Sequence, residues 1–421
     1  MSKNKSVEEL NPQITCGPFG SNLTDTLYQE KGVLVVRPFN LKELKIENNN
    51  LVYVSKNTID ENNLKLFNQD TIIFARVGDM KIGIADVDNF TISPNIIALE
   101  IKQKDMVPML GYFFYSYYGM TQLIRELKIS AQPTISTEII QNLKIPAFSN
   151  TLLQHFKENR DKTKYYSIKS EQLYNDAETL LLQELDLTNW QPTNESSTQK
   201  SFADFLNSGR LDAEYYQPKY DELFAHLNKY DTKRLGEIAR ITKSIEPGSG
   251  AYQEEGVPFV RVSNLSKFEI SQPDIYLDSV EYVDVIRPRK NTILLSKDGS
   301  VGIAYKVQAD MNAITSGAIL HLTITDEEFI PDYVTLVLNS IIVKMQAERD
   351  AGGSIIQHWK PSEIENVVIP KLDIELQKQI AEKIKESFAL RAESKHLLEL
   401  AKTAVEVAIE QGEEKGLELL N

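Results

Sequence analysis

The chain has 421 residues, of which 42% are hydrophobic and 25% charged, enough to bury the cores of two or three globular domains. With 46 Lys and Arg against 60 Asp and Glu, the formal net charge is −14, which argues against a protein that coats nucleic acid indiscriminately but leaves room for a local DNA-reading face. A lone cysteine, Cys16, excludes a disulfide framework and a Cys-rich zinc site, and no apolar run reaches the roughly 18 to 20 residues of a membrane span.

In chain order, Met1–Gln13 lacks the apolar stretch of a secretory signal, so a reducing, cytoplasmic setting is expected. β-Branched and aromatic runs predict strands at Val33–Val36 and Thr71–Phe74. A helical stretch at 108–127 and an Ile-Pro strand within 140–146 follow. Thr151–Asp186, without Pro or Gly, predicts a long helix with Leu153, Phe156, Tyr174, Ala177 and Leu181 on a loose apolar seam. The polar, turn-rich Asn189–Thr198 is the best linker candidate. Strands are then predicted at Phe259–Val262 and Thr292–Leu295, a helical stretch at 331–349, and a second long helix at Ile374–Glu410. That helix places Ile380, Ile384, Leu398, Ala401, Val405 and Ala408 in one heptad frame, interrupted by Arg391 and Ser394.

The halves repeat each other. Gly32, Arg37, Asn40 and Leu41 recur as Gly256, Arg261, Asn264 and Leu265. Asp70–Gly78 matches Asn291–Gly299, Gly83-Ile84-Ala85 matches Gly302-Ile303-Ala304, and Ile140–Pro146 matches Ile364–Pro370. The expected fold is α/β (α+β): two similar globular domains, 1–150 and 233–373, separated by long antiparallel, coiled-coil-like helices at 151–188 and 374–421, with a linker and lead-in at 189–232. Helices of about 36 residues reach on the order of 54 Å, roughly one and a half turns of DNA. The alternative is that each helix packs only on its own domain.

No catalytic chemistry is legible. A Gly-rich cofactor loop, an Asn/Asp-Pro-Pro-aromatic tetrapeptide and a phosphate loop are absent, the single Asn11-Pro12 being followed by Gln13. His155, His226, His321, His358 and His396 are scattered without metal-ligand spacing. Pro273-Asp274 and Pro331-Asp332 read as turns or helix starts rather than a nuclease site, and Gly78-Asp79 and Asp298-Gly299 as turns.

Arg and Asn can contact guanine and adenine edges in bidentate fashion, which makes Arg37, Asn40, Arg261 and Asn264 candidate readers. Because both domains share them, loop bracing is the favoured reading, and the better readers should lie where the copies diverge. Three divergent loop pairs offer Ser21 and Asn22 against Lys243, Ser249 and Tyr252; Arg76 and Lys81 against Lys297 and Ser300; and Gln132 and Thr134 against Gln357, His358 and Lys360. Gly-rich, basic and amide-bearing loops suit phosphate positioning combined with base reading. Residues 1–150, with 15 Lys and Arg against 16 Asp and Glu, escape most of the chain's acidity.

The paired Gly-x-x-x-x-Arg-x-x-Asn-Leu blocks, the Asp/Asn-Thr-Ile blocks, the Ile-Pro strands leading into long helices and Gly209–Tyr216 (GRLDAEYY) resemble the specificity subunits of type I restriction–modification systems over almost the whole chain. The resemblance implies a non-catalytic subunit whose two target-recognition domains each read half of a bipartite site in double-stranded DNA, with the helices setting the gap. It further implies docking of two DNA methyltransferase subunits that bind S-adenosylmethionine, and recruitment of a restriction subunit that uses ATP with magnesium; no cofactor is expected on this chain. One departure is that Lys233–Ala239 leads into the second domain while the first has only Met1–Thr15, which suggests a trimmed first domain or one completed from elsewhere in the chain. A type IIB-like specificity subunit uses the same fold, and a protein–protein adaptor that binds no DNA is a reading from another class.

Overall fold

The computed structural model describes residues 5–48, 50–127, 134–195, 197–352 and 357–421. They form two compact units, 1–168 with 390–421, and 169–389, so each long helix contributes part of its length to each unit. Both units mix helices and strands, and they are built alike.

The first unit contains β1 (Lys5–Ser6), β2 (Gln13–Cys16), β3 (Val33–Val36), β4 (Leu41–Lys42), β5 (Lys45–Ile46), β6 (Val52–Val54), β7 (Ile72–Ala75), β8 (Ile82–Ile84), β9 (Thr91–Ile92), β10 (Ile96–Glu100) and β11 (Lys144–Ile145). A four-stranded antiparallel sheet runs β2-β10-β7-β8, and a three-stranded sheet runs β6-β3-β9 with β3 and β9 parallel. The apolar run in β7 is buried on both faces: Ile72 and Phe74 enter one core cluster, Ile73 and Ala75 another. Its helices are α1 (Lys56–Glu61), α2 (Val107–Tyr115), α3 (Tyr117–Arg125) and α4 (Thr137–Asn142), followed by the continuous α5 (Asn150–Glu184).

The second unit has α6 (Phe202–Ser208), α7 (Pro218–Leu227), α8 (Leu235–Ile238), α9 (Pro331–Asn339), α10 (Ile341–Asp350) and α11 (Pro361–Ile364). Its strands are β12 (Thr232–Arg234), β13 (Ala239–Lys243), β14 (Val257–Val260), β15 (Tyr276–Leu277), β16 (Ile293–Ser296), β17 (Ala304–Lys306), β18 (Ile314–Thr315), β19 (Ile319–Ile324) and β20 (Val368–Pro370). The sheets are β13-β19-β16-β17 and β15-β14-β18, the same orders as in the first unit, again with one parallel pair. The chain closes with α12 (Ile374–Gln411) and α13 (Glu413–Leu420).

Each expected helical stretch, 108–127 and 331–349, is two helices broken at a serine. Ser116 and Ser340 take extended backbone and donate their Oγ to Phe113 O (2.6 Å) and Val337 O (2.7 Å), which ends the first helix of each pair.

Two expectations are corrected. The first unit is not trimmed: β1 pairs with β11 as β12 pairs with β20, and β2 flanks β10 as β13 flanks β19, so Lys5–Cys16 does the work of Lys233–Lys243. The Gly83–Ala85 match to Gly302–Ala304 is also out of register. Gly83 sits mid-strand opposite Ile73, whereas Gly302 is in the turn before β17 with φ +84°, and Tyr305 pairs at the place equivalent to Gly83. A short Gly-Ile-Ala string holds too little information to fix strand register.

The heptad frame of α12 is buried as its spacing predicts, from Ile380 to Ala408. The serine within it is explained in the first unit, where Ser394 Oγ donates to Thr163 O of α5 at 3.0 Å and Asn159 Nδ2 of α5 donates to Leu397 O at 3.2 Å. In the second unit Ser387 Oγ donates to Ser170 O at 2.7 Å. These bonds satisfy polar groups inside an otherwise apolar seam. Among the described residues, no helix is long and apolar enough to cross a membrane.

Candidate nucleic-acid interface

In the first unit Cys16 pairs with Ile97 and Ala75 with Ile96. The chain therefore leaves β2 and β7 at the same end of the sheet, where it enters β10. Arg76 N–H donates to Asn95 O (2.8 Å), Ser93 N–H donates to Val36 O (2.9 Å) just before Arg37, and Ile135 N–H donates to Arg76 O (3.0 Å). Those bonds gather the 17–22 loop, the turn after β3, the 76–81 loop and Thr134 at one edge. The second unit repeats the arrangement. Lys243 pairs with Leu320 and Ser296 with Ile319, Lys297 N–H donates to Ala318 O, Ser316 N–H to Val260 O, and Trp359 N–H to Lys297 O. Thr134 bridges Val77 as His358 bridges Asp298. Segments far apart in sequence and chosen only for their divergence thus meet at one sheet edge in each unit.

Ser21, Arg76, Lys243, Ser249, Tyr252, Ser300, Gln357, His358 and Lys360 are exposed there, and Asn22, Lys81 and Thr134 are half-buried. Gln132 lies outside the described residues. Glycines supply the tight bends: Gly78 and Gly299 have φ +81° and +74°, as the turn reading of Gly78-Asp79 and Asp298-Gly299 expects. Arg76 makes no ion pair among the described residues, and the Lys360 ammonium, 70% exposed, stands 3.6 Å from Glu363.

Three sets of candidates are engaged within the protein: the shared Asn and Arg side chains brace their loops, the reading their recurrence favours, and the expectation for Lys297 is corrected. Asn40 and Asn264 are buried, and each Oδ1 accepts from the backbone N–H three residues earlier, Arg37 at 3.1 Å and Arg261 at 3.0 Å. They hold the turn and cannot reach a base. Arg37 and Arg261 are half-buried and brace the next loop, Arg37 through Asn50 O and Arg261 through Asp274 at 2.8 Å. Lys297 is paired with Asp298, whose other oxygen is 2.8 Å from His358 Nδ1, so the Lys297 charge is already neutralised. Asp298 therefore orients both neighbours, a role its turn position did not reveal.

Sequence reasoning also missed two aromatics at the first edge, Phe19 (84% exposed) and Phe39 (59%). Apolar residues among Gly, Pro and Asn were the available signal. Among the described residues, no group of three or more His, Cys, Asp or Glu could hold a metal ion.

Residues 228–400 match the family described as Type I restriction modification DNA specificity domain. Among solved structures, the chain is similar to a type I restriction–modification S subunit from M. genitalium, at 14% identity and a TM-score of 0.40, covering 99% of this chain and 96% of that one. It is also similar to the HsdS subunit from Thermoanaerobacter tengcongensis, at 12% identity and a TM-score of 0.31, over 98% and 94%. Among curated proteins none matches.

Proposed function

From the match of residues 228–400 to a type I restriction modification DNA specificity domain, we propose that the chain is a sequence-reading subunit whose two units each recognise one half of a split DNA site. The observation that carries the reading is the common scaffold with divergent edges. Matching backbone bonds hold Arg76–Lys81 with Thr134, and Lys297–Ser300 with His358, at equivalent places, while the exposed side chains differ. Equal scaffolds with unequal surfaces suit two readers of different half-sites.

Arg76, Lys243 and Lys360 are the exposed cations that would hold phosphates, and the exposed amide, hydroxyl and imidazole groups of the same loops would face base edges. Each good bidentate pair is worth about 1–3 kcal/mol of discrimination. The long helices α5 and α12, each shared between units, act as the ruler for the gap and as the platform for two methyltransferase subunits. In this reading the chain catalyses nothing. S-adenosylmethionine binds to the methyltransferases, and ATP with magnesium to a restriction subunit where one joins the complex. The chain's net charge of −14 fits a subunit whose partners supply much of the basic DNA cradle.

The test is co-expression with a candidate partner adenine methyltransferase from the same genome, followed by mapping of methylated adenines. A split motif with a fixed gap that vanishes when this chain is omitted supports the reading. Methylation indifferent to the chain, with no complex between the two proteins, refutes it.

A further inference from the structure

The edge of the first unit carries two phenylalanine rings that its own packing does not use. Phe19, 84% exposed, is the most exposed large apolar side chain among the described residues, and Phe39 is 59% exposed. Neither ring meets another ring or a cation among the described residues.

Both rings follow a proline, in Pro18-Phe19 and Pro38-Phe39, and both sit on turns held by backbone bonds. Asn22 N–H donates to Phe19 O at 2.8 Å, and Asn40 N–H donates to Arg37 O at 2.9 Å around Phe39. The two turns share a root. Ser93 N–H donates to Val36 O at 2.9 Å, and Gly17 lies so close to Ser93 that a Cβ there would stand 2.0 Å from Ser93 O. Rings presented on such fixed bases lose little further freedom when they touch a partner.

The scaffold does not require them. The 262–264 turn of the second unit repeats the 38–40 turn, with Asn264 Oδ1 accepting from Arg261 N–H as Asn40 Oδ1 accepts from Arg37 N–H. It carries an exposed Ser263 where the first unit has Phe39. Phe19 stands three residues past the last paired residue of β2, and the residue three past that of β13 is the exposed Glu246. A single exposed apolar side chain needs no explanation, but two on the edge that gathers the divergent loops mark a contact surface.

Resting on the reading of that edge as a DNA interface, we propose that Phe19 and Phe39 read thymine, their rings packing on the C5-methyl groups that thymine places in the major groove. Those methyls are the apolar groups an intact duplex offers there, whereas the base faces become reachable only when a step is unstacked. The first half-site therefore contains thymine on one strand or the other. The second unit, with Ser263 and Glu246 at the corresponding places, reads there through polar groups.

The test measures binding of the complex assembled with a partner methyltransferase to duplexes carrying the methylated split motif. In the half that belongs to the first unit, each thymine is replaced in turn by deoxyuridine, which removes the methyl group alone. At one or two positions the replacement should weaken binding about fourfold, the worth of one buried methyl. Phe19→Ser and Phe39→Ser, exposed positions whose replacement leaves the melting temperature unchanged, should each weaken binding of the thymine duplex by a similar factor and abolish the penalty at one of those positions. A half-site without thymine overturns the proposal, as does an unchanged penalty in either variant. Deoxyuridine tolerated at every position also overturns it, and weaker binding by the two variants in that case would give the rings to an unstacked base step. A complex that binds no split motif overturns the proposed function itself, and the thymine contact with it.

Discussion

Asn40 and Asn264 show how far a residue's role depends on burial rather than on type. Either side chain can pair with adenine, yet both are inside, capping the turn that follows β3 or β14. Asn264→Ala should cost about 1–2 kcal/mol by chemical denaturation, the usual loss when a buried backbone donor is orphaned. Arg76→Ala and Lys360→Ala should behave oppositely. Stability should move by less than about 0.5 kcal/mol, as for other surface sites. DNA affinity of the assembled complex should drop, and the slope of log affinity against log salt should fall by about 1 for each phosphate no longer neutralised. Unchanged affinity and slope would remove these two residues from the interface. The divergent loops were legible because comparing two copies within one chain separates scaffold from surface. What the sequence hid was the local pairing of Lys297 with Asp298 and the exposure of Phe19 and Phe39, which depend on loop geometry rather than on residue type.

At the scale of elements, repetition and periodicity made most of the architecture readable. The long helices fall within a residue or two of the Pro- and Gly-free stretches, since nothing in either stretch breaks a helix. The breaks at Ser116 and Ser340 were not readable, because a single serine in an apolar helix carries no stop signal until its Oγ finds the preceding turn. The lead-in of the first unit was missed for a related reason: β1 and the turn after it are so short that only their pairing with β11 defines them. One element junction titrates. His321 of β19 is buried with its Nε2 2.7 Å from Thr315 Oγ1 of β18, and burial pushes its imidazole down to about 4. The unfolded chain takes up that proton near pH 6.5. Between about pH 6.5 and 4 the unfolded state therefore holds a proton the folded state refuses. The His321 contribution is complete above that window and is lost as pH falls through it, on the order of 3 kcal/mol in all. Urea midpoints at pH 7 and pH 4.5 should differ less in His321→Gln than in the parent; an equal drop would show that other groups carry the acid sensitivity.

At the scale of the molecule, one architecture is written twice in one chain, with equal sheet orders and equal backbone bonds beneath unequal loops. Such a design separates what must be common, the frame that presents an edge, from what must differ, the side chains on it. The net charge of −14, spread unevenly enough that residues 1–150 are nearly neutral, is compatible with a reader that works inside a larger assembly.

If each unit reads its own half-site, exchanging the divergent edge loops of the first unit should change one half of the methylated motif alone. Residues 17–22 and 76–81, together with Thr134, would be replaced by those of a related domain of different specificity, and methylated adenines mapped in cells that also express a partner methyltransferase. The expected result is a new sequence in one half of the split motif, with the other half and the gap unchanged. A change in both halves, or in neither, would contradict it.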